Sequence, residues 1–122
     1  MARFALALAL LAVAAPALAR DRGVPTATPV GKPLDCLSTV GLRSHVRSDQ
    51  VIDFVAGRKV YRNTLPYSCP SLGFEERFAY TLTSSRLCSS DLITVLQGPG
   101  IGAGARCGLG KFQPVDPAKP AR

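Results

Sequence analysis

The chain has 122 residues, with 15 Lys and Arg against 8 Asp and Glu, a formal net charge of +7, a single His and no Trp. That length bounds it to one ordinary domain, and one histidine among scattered acids leaves little from which to assemble a nucleophile, a base and an orienting group. The positive balance favours anionic surroundings and says nothing about fold.

Residues 1–19, MARFALALALLAVAAPALA, carry one basic residue, Arg3, then an Ala/Leu run, then Ala17-Leu18-Ala19, a small-x-small cleavage site. This is the pattern of a secretory signal peptide. The apolar run, roughly a dozen residues before Pro16, is shorter than the 18 or more of a membrane span, so the mature chain is expected to be exported, periplasmic or secreted, with no transmembrane segment. Cleavage removes one Arg and leaves 14 basic residues against 8 acidic ones, a net +6. Residues 20–33, with Pro25, Pro29 and Pro33, and residues 116–122 read as disordered tails. Between them, residues 34–115 form a single small β domain, near the size at which a core alone gives little net stability.

Arg43 to Arg47 fits an edge strand. In VIDFVAGRKVYRN a two-residue turn at Gly57-Arg58 sets Val55 opposite Val60, Phe54 opposite Tyr61 and Asp53 opposite Arg62, with Gly57 supplying the positive φ of a type II′ turn. Alternation sorts Ile52, Phe54 and Tyr61 onto one face and the Asp53/Arg62 pair onto the other, where an opposite-charge pair contributes a few tenths of a kcal/mol. Pro70 to Glu76 and Ser84 to Ser90 can each form one helical turn. Arg77 to Thr83 alternates as a half-buried strand. Leu92 to Leu96 is apolar apart from Thr94 and reads as a central strand covered on both faces. Cys107 to Gln113 is interrupted by glycine and fits an edge or bent strand. The expected fold is mainly β, a small antiparallel barrel or sandwich of five to six short strands, disulfide-stapled.

Cys36, Cys69, Cys88 and Cys107 show no short Cys-x-x-Cys spacing, so neither a zinc knuckle nor a redox pair is indicated. A nucleophilic cysteine would need a base. His45, between Arg43 and Arg47, is a poor one, because neighbouring positive charge disfavours its imidazolium, and it reads as a strand-surface residue. An even number of cysteines in an exported domain with a thin core argues for two disulfides and no free thiol. If Leu92–Leu96 pairs with Cys107–Phe112 as a hairpin, Cys88 and Cys107 lie at opposite ends of it, too far apart to bond. Two of the three possible connectivities remain, Cys36–Cys88 with Cys69–Cys107 and Cys69–Cys88 with Cys36–Cys107, and the second is the one expected.

The blocks LRSHVRSDQVIDF, KVYRNTLPYSCPSLGFE, FAYTLTSSRLCSSDLITVL and CGLGKFQPV together resemble a family of small exported proteins of Gram-negative bacteria catalogued as a domain of unknown function. The resemblance covers Cys36 to Val115. It implies a cell-envelope location and the same four-cysteine plan, and it brings no activity, ligand or catalytic residue.

Other signals read as structure. Gly98 to Ala105 has the spacing of part of a dinucleotide fingerprint, yet no helix and no acidic residue follow where that motif needs them, so it is expected to be a mobile hairpin loop. Asp91, just before a strand, is a turn former that bonds its own backbone. Glu75 and Glu76 are adjacent and would point to opposite faces of a strand, so they form no catalytic pair. Arg58 and Lys59 at the hairpin tip are the candidate anion-binding residues. No metal, cofactor or catalytic residue is indicated. The partners that suit this surface are an envelope protein or an anionic glycan or lipid; nucleic acid is disfavoured because the stacking aromatics it needs are already used by the core. The leading function is a non-enzymatic accessory or binding module of the cell envelope. An inhibitor-type protein inserting a rigid loop such as Leu65 to Leu72 into an envelope or secreted partner is the alternative, and a small enzyme the third reading.

Overall fold

The computed structural model describes residues 24–82, 84–98 and 103–117. The leader sequence of residues 1–19 therefore lies outside the described residues. Among the described residues ten short strands and one helical turn follow in order: β1 (Ala27–Pro29), β2 (Cys36–Ser38), β3 (Leu42–Val46), β4 (Val51–Ala56), β5 (Lys59–Thr64), α1 (Leu72–Glu75), β6 (Phe78–Tyr80), β7 (Arg86–Cys88), β8 (Leu92–Leu96), β9 (Ala103–Gly108) and β10 (Phe112–Pro117). They form a five-stranded sheet in the order β1-β10-β5-β4-β3, a two-stranded β2-β7 pair and a three-stranded sheet in the order β6-β8-β9. Every pairing is antiparallel. The fold class is the one the sequence indicates, a disulfide-linked antiparallel β protein, divided among more and shorter strands.

The β4–β5 hairpin has the expected register, with Asp53 opposite Arg62, Phe54 opposite Tyr61 and Val55 opposite Val60. Gly57 has φ 64° while Arg58 keeps negative φ, the combination a type II′ turn requires. The inward face carries Ile52, Phe54, Tyr61 and Asn63. Phe54 meets Phe112 of β10 and Phe78 of β6 edge-to-face, with ring centroids 5.4 and 6.2 Å apart. One core therefore joins the sheets: Leu37 and Leu87 come from the two-stranded pair, Ile93 and Val95 from β8, Leu72 from α1, and Leu65, Cys69 and Leu109 from the connections.

Several expectations are corrected. Residues 27–29, assigned to a disordered tail, form β1, which pairs with β10 through Ala27–Pro117, Thr28–Asp116 and Pro29–Val115, so Asp116 and Pro117 also lie in a strand and not in a tail. The prolines misled because on an edge strand they cost nothing. The Val30 N–H donates to the Pro114 carbonyl, which by alternation turns the position of Pro29, with no N–H to give, away from the ladder. Ser84 to Ser90 contains β7 where a helical turn was expected. The strand expected over Cys107–Gln113 is two strands, β9 and β10, broken at Leu109 to Lys111. Here Asn63, fully buried, donates from Nδ2 to the Gly110 carbonyl at 2.7 Å and accepts the Gly110 N–H at Oδ1 at 2.8 Å. A Cβ on Gly110 would collide with the Thr64 carbonyl oxygen, so only glycine lets the chain pass this close to β5. β9 starts at Ala103, inside the segment expected to be a mobile loop; residues 99–102 lie outside the described residues. β8 is central in its sheet but covered on one face only, with Ile93 and Val95 buried and Leu92 and Leu96 exposed.

The disulfides are Cys36–Cys88 and Cys69–Cys107, not Cys69–Cys88 and Cys36–Cys107. Cys36 sits directly opposite Cys88 in the β2–β7 ladder, a pairing hidden because neither short segment was read as a strand. Since β9 ends at Gly108, Cys107 lies opposite Ile93 on the buried face of β8 and reaches Cys69, which is fully buried. Among the described residues no cysteine is free. Two disulfides mark an oxidising compartment outside the cytoplasm, and among the described residues no helix is long and apolar enough to cross a membrane.

Candidate functional site

Arg58 and Lys59 project at the tip of the β4–β5 hairpin, both exposed, because a two-residue turn leaves its flanking side chains nothing to pack against. They border a groove of about 520 Å³ whose apolar lining comes from Val30, Leu34, Tyr61 and Pro114. Tyr61 reaches it because β10 lies beside β5 with Pro114 opposite Tyr61. Val30 and Leu34 reach it because the segment after β1 follows β10, with Leu34 and Phe112 exchanging backbone N–H bonds at 2.8 and 2.9 Å. Val30 and Leu34 stay 39% and 40% exposed, which leaves apolar surface facing the groove. Neither Arg58 nor Lys59 is ion-paired among the described residues. Asp116 also lines the groove and offsets part of their charge.

The sequence located the two cations and missed the wall behind them. Val30 falls in the segment expected to be a proline-rich tail, Leu34 is only the first residue of the expected domain, and Tyr61 is expected to belong to the core. The available signal was the run Thr26 to Val30, which alternates well enough for a strand once Pro29 is allowed on an edge.

A second charged cluster lies on the outer face of the same sheet, where His45, Asp53, Arg62 and Gln113 form one cross-strand row. Asp53 is only 3% exposed. Arg62 grips it with two bonds, Nε to Oδ1 at 2.8 Å and Nη2 to Oδ2 at 3.0 Å, and Arg47 adds Nε to Oδ2 at 3.1 Å. Burial pushes the Asp53 carboxyl up, but the hydrogen bonds from Arg62 and Arg47, together with their charges, outweigh it and hold it below its ordinary value. The expected surface pair is thus a triad about a buried carboxylate whose two oxygens take three hydrogen bonds. Its charges are spent on one another, the Asp53 carboxylate against Arg62 and Arg47, which reads as a structural role.

His45 is an exposed strand residue on β3. Asp91 accepts the Cys88 N–H at 2.7 Å, the turn-forming role expected of it. Glu75 ends α1 and stands 4.0 Å from Arg77, while Glu76 is the left-handed cap of that turn. They lie on a helical turn and not on a strand. No group of three or more His, Cys, Asp or Glu that could hold a metal occurs among the described residues. Among the described residues no hydrogen bond joins two of the titratable side chains that line the groove. What it offers is positive charge beside apolar surface, the chemistry that holds an anion carrying a hydrocarbon or aromatic body.

The fold and this groove define a small, disulfide-linked antiparallel β protein with an open cationic groove. No protein-family model, no curated protein and no solved structure matches the chain.

Proposed function

We propose that the chain is an exported, non-enzymatic binding module of the bacterial cell envelope, periplasmic in location, whose groove at the β4–β5 tip takes an anionic amphiphile such as an acidic membrane lipid. The observation that carries this reading is the juxtaposition of two cations, unpaired among the described residues, with the exposed apolar side chains of Val30 and Leu34. The leader sequence, the resemblance to an exported Gram-negative family and the two disulfides support the location. A glycan polyanion would use Arg58 and Lys59 and leave the apolar wall idle, so the lipid is the better match.

The test is co-sedimentation with vesicles containing phosphatidylglycerol against vesicles of phosphatidylcholine alone. Each basic residue near an anionic surface contributes about 1 kcal/mol, so changing Arg58 and Lys59 together to Ser should weaken binding by about 30-fold and reduce its salt sensitivity. Binding that Leu34→Ser leaves untouched would reduce the site to a bare charge contact. Binding that survives the double change would remove the groove from consideration.

A further inference from the structure

The edges of the sheets are not equally defended. β1 is short and contains a proline, β3 carries Arg43 and His45, and β6 has three residues beside Arg77. Charge, proline and shortness are the usual devices that keep a sheet edge from pairing with another chain. β9 has six residues, AGARCG, contains one charge and lies at the edge of its sheet.

Its outer edge is unpaired among the described residues. The Leu109 N–H donates to the Asp91 carbonyl at 3.0 Å, so by the alternation of an antiparallel ladder Cys107 turns its backbone groups to β8 while Arg106 and Gly108 turn theirs outward. Among the described residues no backbone group outside the β8 pairing bonds to β9. Beside this edge runs a groove of about 400 Å³ whose other wall is the loop of Pro66, Tyr67, Ser68 and Pro70.

That loop is held in place. Cys69 is bonded to Cys107 of β9 itself, its N–H donates to the Asp49 carbonyl at 2.7 Å, and the Gly73 N–H donates to Asp49 Oδ1 at 2.7 Å. Tyr67 is 84% exposed on this anchored support. A large aromatic held in the open on a rigid loop loses little entropy on contact and resembles the anchors that dominate protein interfaces. The one charge lining the groove is Arg106, and no acidic residue lines it.

We infer that β9 and the Pro66–Pro70 loop form a docking site for an extended acidic peptide segment of another protein, which adds to the β6-β8-β9 sheet as a fourth strand. The peptide exchanges backbone hydrogen bonds with Arg106 and Gly108. It places a carboxylate against the Arg106 guanidinium and an apolar side chain against Tyr67 and the flanking prolines, with the alternation that strand addition demands. This site is separate from the lipid groove and stands or falls independently of it.

The probe is a phage-displayed library of short random peptides panned against the full, oxidised protein, with the best binder then synthesised and titrated by fluorescence polarisation. Gly108→Pro removes an outward N–H that takes no part in the β8 ladder, at a position where an added Cβ meets nothing within 4 Å, so the fold should survive while the edge is blocked. Gly108→Ala is the matched control. The expected result is enrichment of acidic sequences, at least a tenfold loss of affinity in Gly108→Pro, retention in Gly108→Ala, and a loss as large when alternate amides of the peptide are N-methylated. The methylated peptide decides the matter without any variant, should Gly108→Pro fail to fold. No enrichment over the Gly108→Pro protein, affinity indifferent to N-methylation, or a concentration-dependent dimer in which the edge pairs with a second copy of this chain would each overturn the assignment.

Discussion

Replacing Asp53 by Ala separates two views of the outer sheet face. A solvated cross-strand pair contributes between about 0.2 and 1 kcal/mol. The observed triad is different, because three bonds converge on one buried carboxylate. Removing the anion strands the Arg62 side chain, only 16% exposed, while Arg47, at 34%, can turn to solvent. Loss of one partner of a buried pair costs about 3–5 kcal/mol, and the partial rehydration of Arg47 places this case near the bottom of that range, at about 3 kcal/mol. For a domain of this size that lowers the melting temperature by roughly 12–24 °C, measurable by circular dichroism under non-reducing conditions. In a double-mutant cycle the Asp53/Arg62 coupling should exceed the Asp53/Arg47 coupling, since the first is a two-point grip and the second a single bond. The pH dependence carries its own sign. The folded Asp53 carboxyl titrates below its ordinary value of 3.8, so its contribution is fully present above that value and is lost as pH falls through the lowered folded one. Asp53→Asn should flatten the acid limb of the stability curve without changing its neutral plateau in shape. A loss for Asp53→Ala below about 1 kcal/mol, or equal coupling to both arginines, would show that the carboxylate is hydrated and refute the buried triad.

Proteolytic mapping without reduction should yield linked peptides containing Cys36 with Cys88 and Cys69 with Cys107; either crossed pairing would mean that the β2–β7 register is wrong. In the chain-entropy model each closed loop, 52 and 38 residues by sequence separation, is worth about 4 kcal/mol, and because the two loops interleave, removing both should cost less than twice that, as read by denaturant unfolding. Asn63→Ala should cost about 2–4 kcal/mol, since it leaves the half-buried Gly110 N–H and C=O without their partner, and a loss under 1 kcal/mol would mean water takes its place. Replacing Arg58 and Lys59 together by Ser should leave stability within about 0.5 kcal/mol, as for other surface sites, so that any change in vesicle binding reports on the groove and not on folding.

What the sequence made legible follows the range of the interactions. The β4–β5 register needed only the positive φ of Gly57 and the alternation on either side of it, information held within a dozen consecutive residues. The same local pattern gave the direction of Asp53 and Arg62, but not their burial, because the third partner enters from Arg47 beyond β3. The groove shows the same division. Its cations are announced by the turn, whereas its apolar wall comes from residues 30 and 34, which reach the tip only through pairing with β10 some eighty positions later in the chain.

The disulfides carry that reasoning furthest. Ruling out Cys88–Cys107 was correct in outcome, yet its premise, a strand over Cys107–Phe112, was not, and with that boundary nothing separated the two connectivities that remained. One contact set the true boundary: Asn63 of β5, buried on the inward face, bonds both backbone groups of Gly110 and ends β9 before that point. With β9 shifted toward Ala103, Cys107 falls opposite Ile93 instead of beyond the end of β8, and the only buried cysteine within reach is Cys69. A polar residue at an inward position of an otherwise apolar strand was therefore the informative signal. In KVYRNT, Tyr61 and Asn63 share a face, and a fully buried amide there requires a partner backbone with a gap in its own ladder. Gly108-Leu109-Gly110 is a glycine-flanked break of the kind that can supply one, and placing Asn63 against it would have moved the end of β9, and with it the disulfide, to where the structure has them.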